Sequence, residues 1–268
     1  MNVMICPVCH AALVTENRCV KCKNGHSFDI AREGYVNLLA GSHKPGSTTG
    51  DSRQMALARH AFLEKGYFSA LHEAISASVR RFGGSTALDI CCGEGYYTNA
   101  LSGNGRSVYA FDLSREMVRL AAKRREAHYF VANISAIPVA DRSIETAIHL
   151  FAPFHDPEFS RILHRDGTLL TVIPGKRHLM GMKQILYAKP YENDEAPPKA
   201  PSFVLADTVH VHRTITLNSN EDIMALLHMT PYGVRSPRDG IARLRCLSTL
   251  ETELEFVILA LKKKRELP

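Results

Sequence analysis

The chain has 268 residues, 45% of them hydrophobic and 22% charged, with 33 basic against 27 acidic side chains and a net charge of +6. This is the composition of a folded globular protein, not of a disordered or collagen-like one. No run of about 18 apolar residues is present, so no membrane-spanning helix is expected; with no leader-like start, the chain reads as cytoplasmic.

The first element is a cysteine-rich segment, residues 1–40, too short to bury an adequate core unaided. It holds Cys6-Pro7-Val8-Cys9, then Cys19-Val20-Lys21-Cys22, then His26. Cysteines two residues apart can face one ion from a tight turn, and a cytoplasmic chain does not use them as disulfides. Five donors compete for four places on a structural zinc. Cys6, Cys9, Cys19 and Cys22 make one set; Cys6, Cys9, Cys22 and His26 make the other.

Residues 41–50, Gly41 through Gly50, have a linker's composition. Helical periodicity follows over residues 55–63 and 69–82. Then strand and helix alternate. Strands are expected at 86–92, 107–113, 128–132, 144–151 and 168–173, with a helix beginning at 96 and another N-capped by Ser114 and running to about Arg125. Such alternation specifies an α/β fold with a parallel sheet covered on both faces. Residues 187–202, rich in Pro and charge, form an excursion or lid loop. A half-buried strand at 209–217, a helix at 221–228 and a last strand at 254–261 complete the pattern, and Lys262-Lys263-Lys264-Arg265 closes it.

The loop after the first parallel strand reads Leu88-Asp89-Ile90-Cys91-Cys92-Gly93-Glu94-Gly95. Gly93 and Gly95 let the backbone approach a ligand at the carboxyl end of the sheet. Asp112 ends the next strand, about twenty residues on, where an acid accepts ribose hydroxyls. A pyrophosphate would be repelled by Asp89 and Glu94. A sulfonium and an ammonium would not, which points to S-adenosylmethionine. Asn133 closes the third strand, where the class I S-adenosylmethionine-dependent methyltransferases that this region resembles often place a polar group near the adenine amine.

Further motifs narrow the resemblance. They are Cys6 to Cys9; the run from His26 through Gly34-Tyr35-Val36-Asn37-Leu38-Leu39; Gly50-Asp51; Ala58-Arg59-His60-Ala61-Phe62-Leu63; Ala152-Pro153; Pro174-Gly175-Lys176-Arg177-His178-Leu179; and Met229-Thr230-Pro231-Tyr232. Over essentially its whole length the chain resembles RlmA-type bacterial 23S rRNA (guanine-N1)-methyltransferases. The resemblance implies a Rossmann-like class I methyltransferase sheet with a small N-terminal zinc-binding domain. It divides the chain into a zinc-binding RNA-recognition domain (1–40), a linker and connecting helix (41–67) and a methyltransferase domain (68–268). It assigns zinc to Cys6, Cys9, Cys22 and His26, leaving Cys19 as an extra thiol.

On the same basis Phe68, Asp89, Gly93, Glu94, Gly95, Asp112, Asn133 and His178 are the expected cofactor-binding residues. The implied partner is a 23S rRNA hairpin. A homodimer is allowed. Arg18, Lys21, Lys23 and Arg32 make the zinc domain the expected RNA-binding arm. Pro153, Phe154 and Tyr232 are candidate pocket residues; the proton acceptor is not assigned, with His149, His155 and Asp156 as candidates. Four departures stand out: Cys91 where the family usually has Gly, Phe68 and Phe151 where it has Tyr, and His155-Asp156. The competing readings are a small-molecule methyltransferase, which has no need of the zinc arm, and a non-catalytic rRNA-binding protein with a decayed loop.

Overall fold

The computed structural model describes residues 3–39, 53–103 and 105–264. The expected linker at 41–50, the Gly50-Asp51 motif and Arg265 lie outside the described residues. Three short strands, β1 (Leu13–Glu16), β2 (Cys19–Cys22) and β3 (Ser27–Asp29), form an antiparallel ribbon. Then β4 (Val36–Asn37) leaves the ribbon and joins a second sheet.

That sheet is built from β5 (Thr86–Ile90), β6 (Ser107–Asp112), β7 (His128–Val131), β8 (Ile144–Leu150), β9 (Leu163–Pro174), β10 (Phe203–Leu217) and β11 (Leu250–Lys263). Its order is β10-β11-β9-β8-β5-β6-β7-β4. The strands from β9 to β4 are parallel, while β11 runs antiparallel to both of its neighbours. Chain order reverses on the two sides of β5, which puts a ligand crevice outside the carboxyl ends of β5, β6 and β8.

Helices α1 (Arg53–Leu63), α2 (Ser69–Phe82), α3 (Arg115–Ala122), α4 (Asp156–Ile162), α5 (Met180–Leu186), α6 (Asn220–His228), α7 (Tyr232–Arg235) and α8 (Arg238–Arg245) surround it. Ser114 caps α3 by accepting from the Met117 N–H at 3.4 Å. The helix expected from residue 96 is only a 3-10 turn, Thr98–Leu101. Sequence periodicity misses α8, because Arg238-Asp239-Gly240-Ile241-Ala242-Arg243-Leu244-Arg245 has too few apolar side chains to show a stripe.

The period-2 alternation of strands sorts the core into two faces. On one, Leu254, Phe256, Ile258 and Ala260 of β11 join Ile148 and Leu150 of β8, under Leu71 and Ile75 of α2, Met182 of α5 and Leu226 of α6. On the other, Val257, Leu259 and Leu261 of β11 join Leu88, Ile90, Phe111 and Phe130. Here the cover is different. α4 supplies Phe159 and Ile162, but no helix occupies the crossover from β7 to β8. The amino-terminal arm takes its place: Met4 bridges to Val139, and the Ile5 N–H donates to the Pro138 carbonyl at 3.0 Å. Val3, Met4, Cys6, Leu13, Val20, Cys22 and Leu38 are buried in the same cluster as the sheet. The arm thus gains from the sheet the core it is too short to make alone.

Candidate metal centre and cofactor cleft

The two-residue spacings and the β2–β3 turn converge on one point. Cys6, Cys9, Cys22 and His26 offer donor atoms that all lie within 4.8 Å of one another. Cys22 Sγ is 3.4 Å and Cys6 Sγ 3.6 Å from His26 Nδ1, and Cys9 and Cys22 sulfurs are 3.6 Å apart. A tetrahedral zinc with sulfurs about 2.3 Å away sets its ligands about 3.8 Å from each other, so three thiolates and one imidazole at these separations fit the ion. The backbone N–H of Ala11 helps bring the Cys9 thiol down to about 6, toward the thiolate the ion requires. Cys19 points elsewhere, donating to the Glu16 carbonyl at 3.2 Å.

The second site is the crevice at the sheet's carboxyl edge, a cavity of about 260 Å³. Asp89, Cys91, Cys92, Gly93 and Glu94 from β5 and its loop, Asp112 at the end of β6 and Ser114 at the cap of α3, Leu150 at the end of β8 with Phe151 and Ala152 after it, and Arg59 and Leu63 from α1 are among its lining. Asp112 is held rigidly: its carboxylate accepts from the Gly93 N–H at 3.0 Å and the Ser114 N–H at 2.8 Å. Asp112 also lines the cavity, where a carboxylate can accept ribose hydroxyls. Asp89 is buried and accepts from the Thr98 hydroxyl at 2.7 Å; burial first, then the nearby Asp112 and Glu94, push its carboxyl up to about 7.

The loop's glycines serve different ends. At Gly93, φ +56°, an added methyl group would meet nothing within 4 Å, so its backbone lies open to a ligand. Gly95 packs on α3, where a Cβ would sit 3.0 Å from that of Ala121. Cys91 also has positive φ, +58°. Where the family usually has Gly, this chain thus sets a left-handed cysteine carrying roughly 1 kcal/mol of strain.

Other expected residues are engaged elsewhere. The Glu94 carboxylate turns to His60 Nδ1 at 2.7 Å and Arg124 at 2.8 Å, and only one of its oxygens is paired. Phe68 is buried between Phe62 and Phe256, and His178 is buried with its ring 4.5 Å from Phe256, accepting from the Glu255 N–H. Both stand behind the cleft wall and not among its lining side chains. Burial first, then Lys183, hold the His178 imidazole down to about 3. Asn133 accepts from Ser135 in a local turn.

None of the three candidate proton acceptors lines the cavity. His149 is fixed between the Thr171 hydroxyl and the Pro153 carbonyl, and burial lowers it to about 4. His155 caps α4, and Asp156 accepts from Ser202 at the end of the 187–202 excursion. Phe154 packs on Phe159 and Phe203, while Tyr232 donates to Asn193 within that excursion. Sequence reasoning misses Arg59, Tyr96 and Tyr97 as cavity residues, and α1's place over the cleft explains the Arg59-His60 motif.

Sheet order, a glycine loop and a carboxylate at the end of the second parallel strand define a class I S-adenosylmethionine-dependent methyltransferase, here with an amino-terminal zinc ribbon. The family models and the curated relatives agree. A family model described as "RlmA, N-terminal", a zinc ribbon, matches residues 4–46, and one described as "Methyltransferase domain" matches residues 87–170. A 23S rRNA (guanine(748)-N(1))-methyltransferase of Streptomyces fradiae is 32% identical over 252 residues, 89% of this chain and 88% of the relative. YxjB of Bacillus subtilis is 28% identical over 270 residues, 95% of each chain. Among solved structures, an S-adenosylmethionine-dependent methyltransferase from Thiobacillus denitrificans in complex with S-adenosyl-L-homocysteine aligns at TM-score 0.42 and 13% identity, covering 72% of this chain and 90% of its own. The chain belongs to the RlmA-type 23S rRNA (guanine-N1)-methyltransferases. Among the described residues no helix is long and apolar enough to cross a membrane.

Proposed function

We propose that this protein transfers a methyl group from S-adenosylmethionine to N1 of a guanine in a 23S rRNA hairpin. The observation that carries the reading is the union, in one chain, of the Asp112-anchored cleft with the zinc ribbon, matched together over 89% of the chain by a relative with that activity.

The cofactor supplies a methyl carbon on a sulfonium, already activated for in-line displacement. The protein's part is mostly placement. Asp112 would hold the ribose hydroxyls, and Gly93 leaves its backbone open for the cofactor to approach. Asp89, when ionised, would favour its cationic groups, while Glu94 is turned to Arg124 and His60. Phe68 and His178 brace the wall through Phe256. N1 is on the pairing edge of guanine, so the base reaches the cleft only when unpaired or flipped. With His149, His155 and Asp156 engaged in the fold, the N1 proton leaves to solvent or to an RNA group.

The exposed charges Arg18, Lys21 and Lys23 give the arm its contact with RNA, even though Lys21 also meets Glu16 at 3.3 Å. The test is methyl transfer to 23S rRNA against a pool of small metabolites, with the modified nucleotide mapped by primer extension. A stop at one guanine supports the reading, and methylated metabolites with unmodified rRNA overturn it. In a parallel filter-binding titration, neutralising the three charges should weaken RNA binding and flatten its salt dependence.

A further inference from the structure

We infer that Phe151 is the platform on which the target guanine stacks once it has left its helix. The inference rests on the function proposed above and names how that site receives its substrate. Single exposed apolar side chains are ordinary on protein surfaces and carry no message by themselves. Phe151 differs in three respects.

It lines the cleft, directly after β8 and next to the point where strand order reverses. The residue is 53% exposed, in a chain that has no tryptophan to stack on a base. Its backbone is left-handed, φ +56°, which for a bulky side chain is an outlier that persists only where the surroundings enforce it.

The surroundings do enforce it. The ring leans on Phe256 at 5.6 Å, and Phe256 is buried against Phe68 and His178. The Phe151 ring is thus backed by a buried aromatic cluster, and the residue lines the cavity. Asp112 and Phe151 stand on opposite sides of the β5 loop, since β6 and β8 are the two neighbours of β5. A cofactor gripped at Asp112 leaves the β8 side for the second reactant. A planar, apolar face at the mouth of a polar cleft suits an unstacked purine, and the purine edges stay free for hydrogen bonding. A phenyl ring does this as well as a phenol, so the loss of the family's hydroxyl at this position costs the stack nothing.

The experiment pairs side chain with base. Wild-type protein, Phe151→Ala and Phe151→Tyr are compared on a 23S rRNA fragment carrying the guanine mapped by primer extension, and on the same fragment with an abasic site there. Phe151→Ala should bind the intact fragment roughly 5- to 100-fold more weakly, the range for one aromatic–base stack, with transfer falling in parallel. Phe151→Tyr should restore both. On the abasic fragment all three proteins should bind alike, and S-adenosylhomocysteine affinity by calorimetry should be unchanged throughout. Equal losses on intact and abasic RNA, or a parallel loss of S-adenosylhomocysteine affinity, would overturn the assignment. If wild-type protein methylates no guanine of the rRNA, the functional reading fails, and this inference with it.

Discussion

The two faces of the large sheet reach similar burial by different means. One is covered by α2, α5, α6 and α8, of which α2 and α6 carry apolar stripes that sequence periodicity reveals. The other leans on α4 and on a ribbon of short strands that has no stripe and little core of its own. There a metal cross-link would stand in for helix: four side chains on one ion would hold rigid the loops that bring Leu13, Val20 and Leu38 into the cluster of Phe111 and Phe130. A sheet face can therefore be closed by coordination chemistry where the crossover supplies no helix.

If that contrast is right, stripping the metal should hurt most. Structural zinc in small modules is worth on the order of 10 kcal/mol. A strong chelator, or Cys22→Ser, should lower the thermal midpoint more than any single core truncation and expose the second face to an apolar dye. A midpoint unmoved by verified zinc loss would mean that apolar packing alone holds the arm. Leu226→Ala, on the helix-covered face, should cost about 2 to 5 kcal/mol in denaturant melts while leaving zinc content intact.

Asp112→Ala, at the cleft between the faces, should cost about 1.5 to 3 kcal/mol of cofactor affinity by calorimetry, the range for a charged hydrogen bond. It should leave the metal untouched. Unchanged affinity would remove Asp112 from the site.

Each face also buries one neutral histidine, His178 beside Phe256 and His149 beside Phe159. Their folded values, about 3 and about 4, lie below the ordinary 6.5. From pH 6.5 downward the unfolded chain therefore takes up protons that the folded one refuses. Each histidine's stabilisation is complete above that pH and is lost at up to about 1.4 kcal/mol per pH unit as pH falls. Asp89, raised to about 7, works in the opposite direction over the same window. Melts from pH 7 to 5 should show a shallower acid loss for His149→Gln and for His178→Gln than for wild type; identical slopes would refute the assignment. The smallest effect is expected at Cys91→Gly, which should gain up to about 1 kcal/mol by relieving the left-handed backbone, read as a rise in midpoint.

On the helix-covered face α2 and α6 are legible in the sequence, while the short α5 and the charged α8 are not. α2 occupies the expected 69–82, and Ser114 caps the helix it is expected to cap, because caps and stripes are local signals. The donor cluster is legible from spacing, and the preference for His26 over Cys19 comes from family resemblance. The ribbon-covered face is not legible. Nothing local says that Met4 meets Val139, or that β4 adds to β7, since those partners lie about a hundred residues apart and no helical period marks them. The same holds for Glu94, whose partners His60 and Arg124 come from α1 and the turn that ends α3, and for Phe68, His178 and Asn133. A motif fixes which residues gather near a cleft, but not which way each side chain turns.

The arm's place on the sheet also has a consequence in time. A ribosome completes Leu13, Val20 and Leu38 long before it has made Phe130 and Val139, the surfaces they rest on. At translation speeds of about 5 to 20 residues per second the cover waits some seconds for what it covers. During that interval its apolar underside has no mate, while its metal donors are all already made. Ion capture can thus come first and give the emerging strands β5 to β8 a finished surface to fold against, so that the middle of the chain is shaped by its beginning.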